Sequence, residues 1–547
     1  MEIKDYAKYF VYVLSIFALA IFFGLTKNTL FLASAFGVGL VGFVWIFLYP
    51  FLRKRVGTIS VDIDLVYLLQ HMHAISTGKP ARHVLFRVVG EEKTYGYYSE
   101  IFKKIYTLGK NWGYSFAEAC RLVAKSVENK VLRELLGRFS AILSMGGDIE
   151  LFLKTEYNTL MTEYETIYNR VVEASNIFYG IHTSLLASGV FMIANFMILI
   201  FFFGGGLTTL YTSYTIVSIT MLSIAILLYV LVPKDLFENN LKPQPYIYKL
   251  ADYIALAGIT ASIVLTILTI RRLGLTFTYA ASLMASLGTS LIIAGYIAKR
   301  IDSFIEDVDM FFPVFIRSYG MHLKVTPNMA KALEPLLITE LGKLKKPITN
   351  LYSRLVNGSD PQVSWRLFAA ETRSELARRA VKIFIDTVEN GGDPAITGAS
   401  LSDHYNELAR LRRRKFQIGK TFETTTYLMH GAATLIVVFI VLLVQKFSLV
   451  LSTVQAMMPA EIGIFIFTPG ITEASTWVSS LFLFILAVIN AFCIKRAVPS
   501  SKRVLYYYLG VLLIITSIGI LAGEFLMNYM LGSAVEELFK TIGTLPT

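Results

Sequence analysis

Four short stretches carry residue types that could do chemistry. The segment IGKTFETTT, residues 418–426, holds the Gly-Lys-Thr of a phosphate-binding loop. Such a loop also needs a glycine five positions before its Gly-Lys, so that backbone N–H groups face phosphate, and it follows a strand. That position is Arg414 and no strand pattern precedes it. Gly419 is expected where a helix runs toward the membrane. His71 and His73 stand two apart, a spacing that points them to different faces of a helix. No acid or thiol lies at metal-like spacing, so a polar or core role is predicted for both. Glu524 falls inside an apolar run, where an ionisable side chain is a functional candidate by default. It lies near the outer end of that run, and an interfacial position is predicted. The run LRRRKF, residues 411–416, makes Arg412, Arg413, Arg414 and Lys415 the densest positive cluster in the chain. It has two possible uses. One is adhesion to anionic lipid, worth about 1 kcal/mol per basic residue near the surface. The other is docking an acidic surface on a cytoplasmic partner, where arginine forks grip carboxylates in a way lysine cannot. No Ser-His-Asp or Cys-His arrangement can be assembled, and no pair of intramembrane acids suggests a proton path. The chain reads as a non-enzyme without cofactor or metal.

The elements that hold these residues are set by the distribution of apolar residues. The chain has 547 residues, 55% of them hydrophobic, with 51 Lys and Arg against 39 Asp and Glu. A membrane-crossing helix needs roughly 20 apolar residues. Nine runs qualify, near 9–26, 29–50, 177–203, 209–232, 250–270, 275–297, 425–447, 474–494 and 505–531. The first has no small-residue cleavage site and is expected to be a retained anchor. Cys120 and Cys493 are far apart and imply no disulfide framework. Nearly all the charge sits in two polar stretches, about 52–176 and 298–424. The short basic loops 233–249 and 495–503 share a side with them, and basic loops stay cytoplasmic. The predicted topology has both polar stretches in the cytoplasm and the C-terminus outside. Arg271 and Arg272, in an outside loop, are the exception.

The string Gly-Gly-Asp occurs twice, at Gly146, Gly147 and Asp148 and again at Gly391, Gly392 and Asp393. The same offset of 245 carries Asp62 and Asp64 onto Asp307 and Asp309, Gly113 onto Gly358, Arg121 onto Arg366, Arg133 onto Arg378 and Phe139 onto Phe384. A fixed internal period overrides local reading. It predicts a duplicated module of two spans, one cytoplasmic domain and two spans, arranged as parallel repeats, with a ninth span added. Apolar residues at helical spacing in YSFAEACRLVAKSVENKVLRELLGRFSAIL and ARRAVKIFIDTVEN make both polar stretches helical bundles. A glycine just past a helix can close it in the left-handed conformation, and an Asp can cap the next. Each Gly-Gly-Asp is therefore a bundle hinge between antiparallel helices. Asp62, Asp64, Asp307 and Asp309 are expected where helices emerge.

On these residues the chain resembles the type II secretion F domain family. STGKPARHVLF is similar to the family's first hairpin pattern, GYSFAEACRLVA to its second, and GGDIELFLKTEYNTLMTEYE to its late glycine-acid hinge. The second copy is less similar, VTPNMAKALEPL replacing the first glycine pattern. The spans resemble the archaeal branch, which includes the platforms of archaella and archaeal type IV pili. The resemblance implies an all-α polytopic membrane protein, divided as spans at 1–51, bundle at 52–176, spans at 177–297, bundle at 298–424 and spans at 425–547. It also implies a scaffold that couples a cytoplasmic hexameric secretion ATPase to filament subunits, pilin or archaellin, in the membrane. Membrane lipid is a further partner, nucleic acid is not, and the chain is a monomer or homodimer. The alternative is a secondary transporter built from parallel repeats, which would need broken helices and polar groups at mid-membrane.

Overall fold

The computed structural model describes residues 62–203, 207–233, 235–242, 246–273, 276–457 and 471–543. The expected spans at 9–26 and 29–50 lie outside them. Every regular element among the described residues is helical.

The first polar stretch folds as α1 (Ile63–Ser76), α2 (Arg82–Glu91), α3 (Tyr97–Lys110), α4 (Phe116–Ser126) and α5 (Lys130–Met145), then α6 (Ile149–Phe203). Local chemistry sets the boundaries. Ser115 accepts the Glu118 N–H at 3.2 Å to start α4, and Asn129 accepts the Leu132 N–H at 3.2 Å to start α5. Each satisfies a donor that the first turn leaves unpaired. Gly146 ends α5 at φ 69°, in the left-handed region, and Asp148 accepts the Leu151 N–H at 3.1 Å as α6 begins. Phe86 stacks on Phe102, Phe116 and Phe139, and Phe139 on Phe152, so helices across the bundle share one aromatic core.

Next come α7 (Leu207–Leu231), α8 (Tyr246–Leu273) and α9 (Phe277–Val325). The second bundle is built from the lower half of α9 with α10 (Glu334–Leu337), α11 (Lys345–Val356), α12 (Pro361–Thr372) and α13 (Glu375–Glu389), followed by α14 (Pro394–Met457), α15 (Ile471–Ala497) and α16 (Leu505–Gly543). Asp360, with Pro361 behind it, caps α12, and Ser374 caps α13. Gly391 takes φ 79°, and Asp393 accepts the Ala395 and Ile396 N–H groups at the start of α14. Phe315, Tyr319, Trp365, Phe368 and Phe384 form the aromatic core here. The apolar cores of the two bundles are continuous.

Among the described residues, six helices are long and apolar enough to cross a membrane: α6, α7, α9, α14, α15 and α16. The chain is a multi-pass membrane protein. The expected span at 250–270 lies in α8, part of whose side chains fall outside the described residues. The expected boundaries at 176/177, 297/298 and 424/425 each fall inside one continuous helix. The backbone hydrogen-bond ladder runs on through each of them. For the same reason Asp307 and Asp309 stand in mid-helix in α9, not where a helix emerges, and only Asp62 of the four acids is an N-cap. At about 1.5 Å per residue, the 55-residue α6 and the 64-residue α14 are levers of about 80 and 95 Å.

Candidate functional site

The arrangement of interest is a joint, where the two bundles meet each other and the membrane helices. Beside the shared apolar core, the seam between bundles holds buried polar side chains. Arg379, on α13, pairs with Asp64 at 2.6 Å and with Glu375 at 3.1 Å, and lies over the Tyr67 ring. His71 Nε2 stands 3.2 Å from the Asp386 carboxylate, and its Nδ1 meets the Tyr95 hydroxyl at 3.1 Å. Burial would raise the Asp386 carboxyl, but His71 and Lys382 outweigh it and hold the group below the usual carboxylate range. His404 sits between Tyr67 and Tyr157, its Nδ1 2.8 Å from the Tyr157 hydroxyl. Burial, with the nearby Arg379 charge, pushes His404 down to about 3. His73 is also buried and is pushed down to about 4 by burial. Neither His71 nor His73 belongs to a metal-like cluster, and no such cluster exists among the described residues.

The hinge of the second bundle closes the seam. The Asp393 N–H donates to the Thr77 hydroxyl at 2.9 Å. Gly78 approaches so closely that a Cβ there would lie 2.3 Å from the Gly391 carbonyl oxygen. The hinge at Gly146, Gly147 and Asp148 is exposed instead.

The basic run lies in the middle of α14, and the structure divides it. Arg412 faces inward, paired with Asp309 and donating to the Leu236 carbonyl at 2.6 Å. Lys415 is 2% exposed, pairs with Asp235 at 2.5 Å and donates to the Pro233 carbonyl at 2.8 Å. Burial lowers its ammonium pKa, opposed by Asp235. Arg414 reaches the first bundle's lever, donating to Asn169 at 3.0 Å and Glu173 at 2.6 Å. Arg413 is exposed. The exposed cationic surface expected of four residues is thus carried by Arg413 and the half-exposed Arg414. A helix turns successive residues by about 100°, so a run of four cannot all face solvent on a helix packed on both sides.

What Arg412 and Lys415 hold is the segment joining α7 to α8. Arg496, at the end of α15, donates to the Val232 carbonyl. Further on, Asn239 donates its amide to the Ala369 carbonyl at 2.8 Å and its N–H to the Arg373 carbonyl at 2.9 Å. The Glu375 N–H donates to the Phe237 carbonyl at 3.1 Å. This strap ties the membrane helix α7, and α8 after it, to the α12–α13 turn of the second bundle. Asp302, on α9, accepts the Ser501 N–H at 2.9 Å, and burial pushes its carboxyl up to about 7. Glu524 accepts from the Thr278 hydroxyl at 2.9 Å and is half-buried. The Gly-Lys-Thr at 419–421 lies within unbroken α14. A Cβ on Gly419 would meet the Ala497 carbonyl oxygen at 2.6 Å, so that glycine serves close packing.

The strap escaped sequence reading because its partners lie 130 to 264 residues away. His182, His430 and Asn490, buried among the spans, were missed as well. Their signal was present: two histidines, each a few residues inside an expected span.

Residues 315–444 match the family model described as Type II secretion system (T2SS), protein F. The match falls on the second bundle, the copy whose hairpin strings depart further from the family pattern. The chain is 26% identical over 399 residues to "Flagella accessory protein J" of Methanocaldococcus jannaschii, covering 71% of this chain and 70% of that one. It is 27% identical over 357 residues to the protein of that name in Methanococcus voltae, covering 63% of each. No solved structure matches. Residues 315–444 are thus similar to the type II secretion system protein F family, and the larger part of the chain is similar to proteins named Flagella accessory protein J.

Proposed function

We propose that this chain is a membrane platform for assembling a type IV filament, an archaellum or an archaeal pilus. It couples a cytoplasmic hexameric ATPase to filament subunits, and it has no catalytic activity of its own. The observation that carries the reading is mechanical. Two helices, α6 and α14, run without a break from the bundles into the membrane, and their lower halves are fastened to each other by the buried Tyr157–His404 contact and by exposed pairs from Arg410 and Arg414. Force applied to either bundle therefore reaches the spans through rigid elements. The relatives' name associates them with flagella. The described spans are unbroken helices, which favours a platform over a transporter.

In this reading the chain is a tandem parallel repeat with nine spans, both bundles lie in the cytoplasm and the C-terminus lies outside. Helices α4 and α12, α5 and α13, and α6 and α14 begin 245 residues apart, as do the left-handed glycines Gly113 and Gly358 and Gly146 and Gly391. Equivalent positions also face each other: Arg410 bonds Glu165 and Arg414 bonds Asn169, each 245 apart. Such contacts are what two copies standing side by side in parallel register would make.

The ATPase docks on the bundles, with Arg413 and Arg414 as the cationic part of its surface. Complementary charge speeds encounter and fixes register, and reversed charge costs several kcal/mol. Arg413→Glu with Arg414→Glu should leave the protein inserted, reduce pull-down of the ATPase in detergent at least tenfold and abolish filaments. Undiminished pull-down would reject docking at this surface. Filaments that persist after deletion of the chain would reject the platform itself.

A further inference from the structure

Four membrane helices meet at a chain of buried polar side chains. Asn490 on α15 lies between His182 on α6 and His430 on α14. Its Oδ1 is 3.0 Å from His182 Nε2 and its Nδ2 is 3.2 Å from His430 Nδ1. His430 Nε2 is 2.8 Å from the Thr516 hydroxyl on α16, and the Cys493 thiol stands 4.0 Å from His182 Nδ1. His182, His430, Asn490 and Thr516 have no exposed surface.

The direction of every bond follows from one end. The Thr516 hydroxyl donates its single proton to the Leu512 carbonyl at 2.8 Å. It must therefore accept from His430, whose proton sits on Nε2. A neutral imidazole carries one N–H, so His430 Nδ1 is bare and Asn490 turns its amino group there. Its carbonyl oxygen is then committed to His182, which donates from Nε2. His182 Nδ1 is bare in turn and faces the Cys493 thiol. Five groups on four helices thus agree on one hydrogen-bond sense, with both imidazoles neutral.

We propose that His182, Asn490 and His430 form a one-way latch that holds the levers α6 and α14 in a single register within the membrane. It is the counterpart of the Tyr157–His404 contact, which fastens the same two helices in the cytoplasm. From Tyr157 to His182 is 25 residues of continuous helix, or about 38 Å. Two fastenings that far apart stop the levers from shearing or rolling past each other. Polar groups in hydrocarbon must find partners, and only one pairing satisfies this set. The three residues are positioning residues, and their effect on filaments rests on the platform reading above.

The chain contains seven histidines, so histidine-selective ¹⁵N labelling of the full-length protein in lipid bilayers can resolve them. His182→Gln and His430→Gln assign the two signals. At neutral pH both imidazoles are expected uncharged, with Nε2 protonated and Nδ1 bare. A charged ring or an Nδ1–H form at either position overturns the latch. Asn490→Asp supplies an oxygen to both rings. His182 should then keep its form, while His430 alone takes a proton on Nδ1. A change at His182 overturns the stated direction, whereas the new carboxyl, where it keeps its own proton, donates it to His430 Nδ1 and leaves both rings unchanged. Replacing all three residues by Leu removes every polar group together, and that variant should insert but assemble at least tenfold fewer filaments. Normal filament numbers would mean the register needs no latch. A wrong protonation form counts against the latch alone, whereas filaments surviving deletion of the chain count against the platform.

Discussion

Four adjacent cations meet two fates here: Arg412 and Lys415 turn inward, Arg413 and Arg414 outward. Arg412 pairs with buried Asp309 while its neighbour Arg413 is exposed. Breaking a buried ion pair leaves an uncompensated charge and costs about 3–5 kcal/mol. Arg412→Glu adds a second negative charge beside Asp309 and should lower the thermal midpoint of the purified protein strongly. Arg413→Glu should change stability by no more than about 0.5 kcal/mol. Equal midpoints for the two variants would refute the inward placement of Arg412. The residue types in this run were legible in sequence, but their directions were not, because Asp309 and Leu236 are 103 and 176 residues distant.

Helix ends were more legible than helix faces. A glycine after an apolar run and an acid before the next are local signals, and Gly146 and Asp148 sit at such an end. Only packing distinguishes the two hinges. Gly146→Ala meets open space and faces only the left-handed backbone penalty, about 1–2 kcal/mol. Gly78→Ala drives a Cβ into the Gly391 carbonyl and should part the bundles. Cysteines replacing Gln70 and Ser400, whose side chains bond at 3.0 Å, report on the seam. Their disulfide should form readily in the parent and with Gly146→Ala, and poorly with Gly78→Ala. The seam also carries a pH dependence. His404 and His73 are held neutral by burial, to about 3 and about 4, while the unfolded chain protonates them near 6.5. The unfolded state then binds more protons, so stability falls on acidification from about pH 6.5, by at most about 1.4 kcal/mol per pH unit per group. His404→Gln should flatten the melting-temperature profile between pH 6.5 and 4. An unchanged slope would show that His404 is protonated in the folded protein.

At the scale of the whole molecule, the question is which side each part occupies. The positive loops predict a cytoplasmic position for both bundles and an outside C-terminus. Cysteine replacing Ser359, in the α11–α12 turn, should resist an impermeant label in intact cells, while cysteine replacing Thr547 should react. Labelling at position 359 would overturn the sidedness and the parallel repeat with it. If the topology holds, the strap from Val232 to Asn239 lies at the inner membrane surface, where Arg412, Lys415 and Arg496 fasten it.

The sequence by itself determined the properties that depend on near neighbours or on bulk solvent. Those are the all-helical class, the six described apolar helices, the hairpin ends and the family resemblance. Hydrophobic run length and capping chemistry act over one to twenty residues, so they can be read along the chain. Tertiary structure alone decided that polar stretch and span are one helix, that half of the arginine run is internal, and that His71 and Asp386 meet across a seam. It also brought His182, Asn490 and His430 onto one line, up to 308 residues apart in the chain. A buried polar group must be satisfied, but its partner is set by how the helices pack, and sequence periodicity gives the buried face without saying what stands opposite it.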